Sequence, residues 1–201
     1  MTEDRFFPAT AMPNKDWWHA LWPDPEGVLR AVGIGTGMDV IDLCCGDGYF
    51  TAPMCRLTAP GCVIGVDLDA KMLEQAKSAC RDSSNFIPIL GDGRDLSKLI
   101  SQSVDYVLIA NTFHGVPDKT ELASAVNQVL KPAGRFTVIN WYPLPREKTV
   151  VLGQPRGPAT ALRMAPEAVA RAVAPAGFES DRVVHLAPFH YGAIFVKTTP
   201  K

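Results

Sequence analysis

The sequence has no excess of either charge. Twenty Lys and Arg against 21 Asp and Glu leave a formal net charge of −1. A balance this even supplies no global field to steer the chain onto nucleic acid or an anionic membrane surface. No apolar run approaches the ~20 residues that cross a bilayer. The segment Met1 to Phe7 mixes charges of both signs and has no apolar core, so no secretory leader and a cytoplasmic location are expected. There is no internal repeat and no low-complexity stretch. Cysteine is sparse and unpaired in pattern: Cys44, Cys45, Cys55, Cys62 and Cys80 are odd in number, contain no Cys-x-x-Cys and have no neighbouring histidine. That pattern excludes a disulfide framework and gives no support to a zinc site, so reduced thiols and no metal are expected.

What is present is an ordinary soluble composition, with 47% apolar and 20% charged residues over 201 positions, enough for one domain. Pro8, Pro13, Pro23 and Pro25 interrupt the first 25 residues, which read as an arm or lid ahead of a domain over 26–201. From there short apolar runs alternate with helical patterns. Strands are expected at 38–43, 62–66, 86–90, 104–110 and 135–141, with helices at 27–32, 49–59, 70–80, 96–100, 119–130 and 166–175. A Pro- and Gly-containing connection fills 143–164. Two last strands, 183–187 and 193–198, flank the hairpin sequence Pro-Phe-His-Tyr-Gly. Alternating strands and helices predict a parallel sheet covered on both faces. The fold class is therefore α/β, a Rossmann-like doubly wound seven-stranded sheet, mostly parallel with an antiparallel C-terminal hairpin. In such sheets ligands sit beyond the carboxyl ends of the strands.

The residues at those ends carry the chemistry. Asp42-Leu43-Cys44-Cys45-Gly46-Asp47-Gly48 follows the first strand, Asp67 the second, Gly91-Asp92-Gly93 the third, and Asn111-Thr112-Phe113-His114 the fourth. Gly46 and Gly48 permit a tight turn and close backbone approach to a ligand. Asp67 lies 21 positions beyond Gly46, near the ~20 expected for a carboxylate that takes both hydroxyls of a ribose. Gly33-Ile34-Gly35-Thr36-Gly37 precedes its strand and reads as a turn at the wrong edge of the sheet. A dinucleotide loop needs a third glycine, and Phe50 and Thr51 stand there instead, so an adenosine ligand without a pyrophosphate fits better.

With these motifs the chain resembles the class I S-adenosylmethionine-dependent methyltransferases. Asp42 to Gly48 stands where that family has D-x-G-x-G-x-G. The resemblance continues through Gly65-Val66-Asp67, Gly91-Asp92-Gly93, Val104-Asp105-Tyr106, Asn111 to His114, and Leu130-Lys131-Pro132-Ala133-Gly134. It is nearest to the small-molecule branch that includes quinone-biosynthesis enzymes. It implies S-adenosylmethionine as cofactor, S-adenosylhomocysteine as product, and a small-molecule methyl acceptor. It further implies Asp42 at the amino-acid end of the cofactor, Asp92 at the adenine amino group, Leu68 and Gly93 lining the adenine slot, and Asn111 under the transferable methyl. Cys44 stands where the family usually has glycine, as a packing substitution or a thiol beside the cofactor.

Several readings stay open. His114 is either a general base, since imidazole titrates near neutral pH, or a structural lining residue. His190 and Tyr191 either face the acceptor or decorate a hairpin surface. The run Trp17, Trp18, Trp22 is either a lid or an anchor for the arm. Arg146, Arg156 and Arg163 either orient an anionic acceptor or belong to a solvated loop. A nucleotide-dependent oxidoreductase, a nucleic-acid methyltransferase and a non-catalytic cofactor-binding module remain as alternatives.

Overall fold

The computed structural model describes residues 13–198; residues 1–12 of the expected arm, and with them the expected absence of a leader, lie outside that range. The chain runs α1 (Lys15–Leu21), α2 (Pro25–Val32), β1 (Val40–Leu43), α3 (Thr51–Thr58), β2 (Val63–Asp67), α4 (Ala70–Ala79), β3 (Phe86–Leu90), α5 (Leu96–Leu99), β4 (Val104–Ala110), α6 (Lys119–Val129) and β5 (Leu130–Trp141). A two-residue ribbon, β6 (Val150–Val151) and β7 (Gln154–Pro155), interrupts the connection to α7 (Pro166–Val173), and β8 (Phe178–Leu186) and β9 (His190–Lys197) close the chain. No helix among the described residues is long and apolar enough to cross a membrane.

The main sheet has seven strands in the order β3-β2-β1-β4-β5-β9-β8. The first five are mutually parallel, and β9 inserts antiparallel between β5 and β8. The expected fold class holds. The central strands read as apolar runs because helices cover both faces. Val107, Leu108 and Ile109 of β4 have no exposed surface, and each such side chain contributes ~1.5–3 kcal/mol of burial. Helix starts follow local capping: Asp24 accepts from the Gly27 amide ahead of α2, and Asp118 accepts from Glu121 ahead of α6.

Three boundaries differ from expectation. The Lys131-Pro132-Ala133-Gly134 segment does not end a helix but opens β5, with Ala133 at φ +59° making the irregular step. Lys131 Nζ then reaches Asp105 at 2.9 Å and Asp39 at 3.3 Å at the foot of the sheet, a tertiary anchor that helix periodicity does not reveal. The two C-terminal strands are longer than expected, and their turn is only residues 187–189. His190 and Tyr191 therefore lie inside β9, both wholly buried, and not on a hairpin surface. The 143–164 connection carries the β6–β7 ribbon and short 3-10 turns in place of irregular loop.

Candidate active site

Strand order reverses between β1 and β4, whose following connections leave toward opposite edges of the sheet. A cleft of about 830 Å³ opens over the carboxyl ends at that point. It brings together Asp42, Cys44, Gly46, Asp67, Leu68, Asp92, Gly93, Asn111 and His114. Gly48 is not among its walls. Its φ is +86°, and a Cβ there would sit 2.8 Å from the Ala76 backbone, so it lets the loop pack closely on α4. The Gly33 to Gly37 turn also lies away from the cleft.

Three carboxylates end three adjacent strands. Asp67, last in β2, accepts from the Gly46 amide at 2.8 Å and from the Asp69 amide at 2.9 Å, one through each oxygen. Each oxygen keeps a lone pair for a further donor. Burial pushes the Asp67 carboxyl up, and the Asp69 and Gly46 amides oppose it. Asp42, in β1, is buried and accepts from Thr51 Oγ1 at 2.6 Å. Its carboxyl is pushed up to about 7, first by burial and then by the charge of Asp67, against the Thr51 hydrogen bond. Asp92 caps the short turn after β3 and pairs with Arg94 at 2.6 Å.

Over β4 and β5 the cleft changes character. Asn111 adopts φ +60° and leaves both its amide oxygen and nitrogen buried without a partner, the condition of a group that awaits a ligand. His114 Nδ1 lies 3.4 Å from Asn140 Oδ1, near the end of β5. A carbonyl oxygen can only accept, so this contact selects the tautomer with the proton on Nδ1 and leaves Nε2 basic. Trp141, absent from the sequence expectations, lines the cleft at the end of the fifth strand, and Asn140 stands behind it in contact with His114.

The arm and the connection supply the roof. Trp17 and Trp18 of α1 line the cleft. Trp22 is buried against Phe50 and His190, with ring centroids 5.5 and 4.4 Å away. The arm is thus wall and anchor at once, by different tryptophans. Arg146 and Arg156 line the cleft, and Arg163 does not. Arg163 is buried, donates to the carbonyls of Leu144, Pro158 and Arg156 and to Thr149 Oγ1, and holds the connection together. Neither alternative expected for it describes that role. His190 packs between Trp22 and Trp141, and burial lowers its imidazole well below the usual range. Burial, then the charges of Asp67, Asp42 and Asp92, push the Cys44 thiol far up, which keeps it protonated at neutral pH.

The donor set fits a cationic nucleoside. Acidic groups face one half of the cleft, and orphaned amide atoms of Asn111 mark the boundary with the other. This fold and strand-end site are similar to those of the S-adenosylmethionine-dependent methyltransferases. Residues 40–134 match the family model of a methyltransferase domain. A demethylmenaquinone methyltransferase of Staphylococcus aureus (strain JH9) is 32% identical over 117 residues, 58% of this chain and 47% of that protein. The chain thus spans about half the length of the curated relatives it matches. A SAM-dependent methyltransferase from Aquifex aeolicus superposes with a TM-score of 0.76 at 21% identity, covering 91% of this chain and 93% of that one. An S-adenosylmethionine-dependent methyltransferase from Mesorhizobium loti gives 0.67 at 22% identity, covering 88% and 100%.

Proposed function

We propose that the protein transfers a methyl group from S-adenosylmethionine to a small-molecule acceptor. The observation that carries this reading is the row of Asp42, Asp67 and Asp92 at the ends of three neighbouring strands, all facing one cleft. When bound, the cofactor supplies an electrophilic methyl on a sulfonium, a good leaving group that takes the electron pair of the broken bond. The chain supplies position. Asp67 accepts from the ribose hydroxyls while the Gly46 amide fixes its carboxylate. Asp42 receives the amino-acid ammonium, and ionises as it does so. Asp92, Leu68 and Gly93 border the adenine. Asn111 holds the boundary between cofactor and acceptor, and His114 Nε2 accepts the proton of the acceptor nucleophile. Trp17, Trp18 and Trp141 exclude water from the line of transfer. Residues 13–25 act as part of the site, so the arm and the 26–201 domain work as one unit in a cytoplasmic enzyme.

Isothermal titration with S-adenosylmethionine, S-adenosylhomocysteine and NAD tests the reading. Micromolar binding of the first two and none of NAD is expected. Preference for NAD rejects the cofactor assignment. Cofactor binding without methyl transfer to any of a panel of quinols, phenols, amines and thiols would leave a binding module instead.

A further inference from the structure

The acceptor half of the cleft contains a cation, Arg156, whose backbone is pinned and whose charge meets no carboxylate among the described residues. The backbone of Arg156 is pinned by three hydrogen bonds: its amide donates to Thr149 O at 2.9 Å, and its carbonyl accepts from Thr149 Oγ1 at 2.8 Å and Arg163 Nη2 at 3.0 Å. Its guanidinium lies over the Trp17 ring, 5.3 Å from the centroid, a cation–π contact that orients the planar group. Its Nε is buried without an acceptor, and no carboxylate pairs with it among the described residues. The acidic side chains of the cleft stand over β1, β2 and β3, whereas Arg156 follows β5 and lines the same cavity. Arg163, its neighbour, is consumed by four structural hydrogen bonds. Arg146 also faces the cavity, but its Nε donates to Gly157 O at 3.1 Å.

We propose that Arg156 is the specificity-determining residue for the acceptor, and that the acceptor is a planar apolar molecule carrying one carboxylate. The carboxylate meets the Arg156 guanidinium, whose fork suits two parallel hydrogen bonds. The planar body lies along Trp17, Trp18 and Trp141, and the far edge presents its nucleophile to His114 and Asn111. Arg156 is half-buried, so its guanidinium is only partly hydrated, and a carboxylate in the cleft supplies the counter-charge that no described residue gives. This proposal rests on the methyltransferase reading of the site.

The test is calorimetric titration of 2-naphthoate and of its neutral counterpart, 2-naphthamide, into protein saturated with S-adenosylhomocysteine. Naphthoate is expected to bind at least tenfold tighter, with an affinity that falls as salt rises. Arg156→Gln should abolish that preference while leaving naphthamide binding, S-adenosylhomocysteine binding and the melting temperature unchanged. Arg156→Lys should keep part of it, which guards against a fold defect in the glutamine variant. Equal binding of the two probes, an unchanged preference in Arg156→Gln, or binding of neither by protein that holds S-adenosylhomocysteine overturns the proposal. Failure to bind S-adenosylhomocysteine at all would instead remove the methyltransferase reading beneath it.

Discussion

Asp67 Oδ2 accepts a hydrogen bond from the Gly46 amide at 2.8 Å, tying the end of β2 to the loop after β1. One carboxylate thus shapes the glycine turn and faces the cleft. Asp67→Ala should lower S-adenosylhomocysteine affinity at least tenfold, from losing charge-assisted hydrogen bonds of ~1.5–3 kcal/mol. It should also lower the melting temperature, since two backbone amides lose their acceptor. Titration calorimetry on the folded variant decides it, and unchanged affinity rejects the ribose role.

Asp42 gives a pH dependence of known sign. Its folded-state carboxyl is raised from 3.8 to about 7, so the ligand-free folded protein keeps a proton that the unfolded chain releases. That contribution is complete below pH ~4 and is lost as pH rises toward 7, a difference of ~2–4 kcal/mol. Asp42→Asn should remove this slope in chemical denaturation between about pH 4 and 7. A cationic ligand favours the ionised form, so cofactor binding at pH 6 should release protons. Calorimetry in buffers of different ionisation enthalpy measures the release, and none would contradict contact between Asp42 and the ammonium.

His114 and Asn140 form one device. His114→Ala should reduce turnover by ~10²-fold or more, the usual contribution of a general base, with cofactor affinity within twofold of wild type. Asn140→Ala should reduce turnover less and displace the acidic limb of the pH–rate profile, because it frees the tautomer without removing the ring. An undisturbed profile in both variants would leave His114 a lining residue.

The Arg163 guanidinium, with four acceptors and the Trp141 ring 5.0 Å from its centre, joins the connection to the sheet. Arg163→Ala should cost ~2–4 kcal/mol, since it leaves buried carbonyls without donors. Urea denaturation checks this, and a cost under ~0.5 kcal/mol would contradict the structural role.

Cys44 should behave as packing. With its thiol held protonated, Ellman's reagent should not modify it at pH 8 on the timescale that labels a free thiol, and Cys44→Ala should retain turnover. Rapid labelling at Cys44 would reverse this.

The central sheet was legible in the sequence because β1, β2 and β4 are short, mostly apolar runs, each carrying one aspartate and bounded by turn residues. The carboxylates were legible because parallel strands bring their carboxyl-terminal residues to one edge of the sheet. Asn140 and Trp141 obey the same rule at the fifth strand and were within reach of it. The inward position of His190 was not, because proline and glycine around it mimic a hairpin tip, and its burial depends on Trp22 and Trp141 from distant segments. Arg163 was hidden for a similar reason: its acceptors are backbone carbonyls, which no residue pattern records.

Trp17, Trp18 and Trp141 border the cleft, and Trp22 adjoins it through His190. These are all four tryptophans of the chain. Intrinsic emission therefore arises from the neighbourhood of one cavity, and the molecule carries its own optical gauge of occupancy, readable without any attached dye.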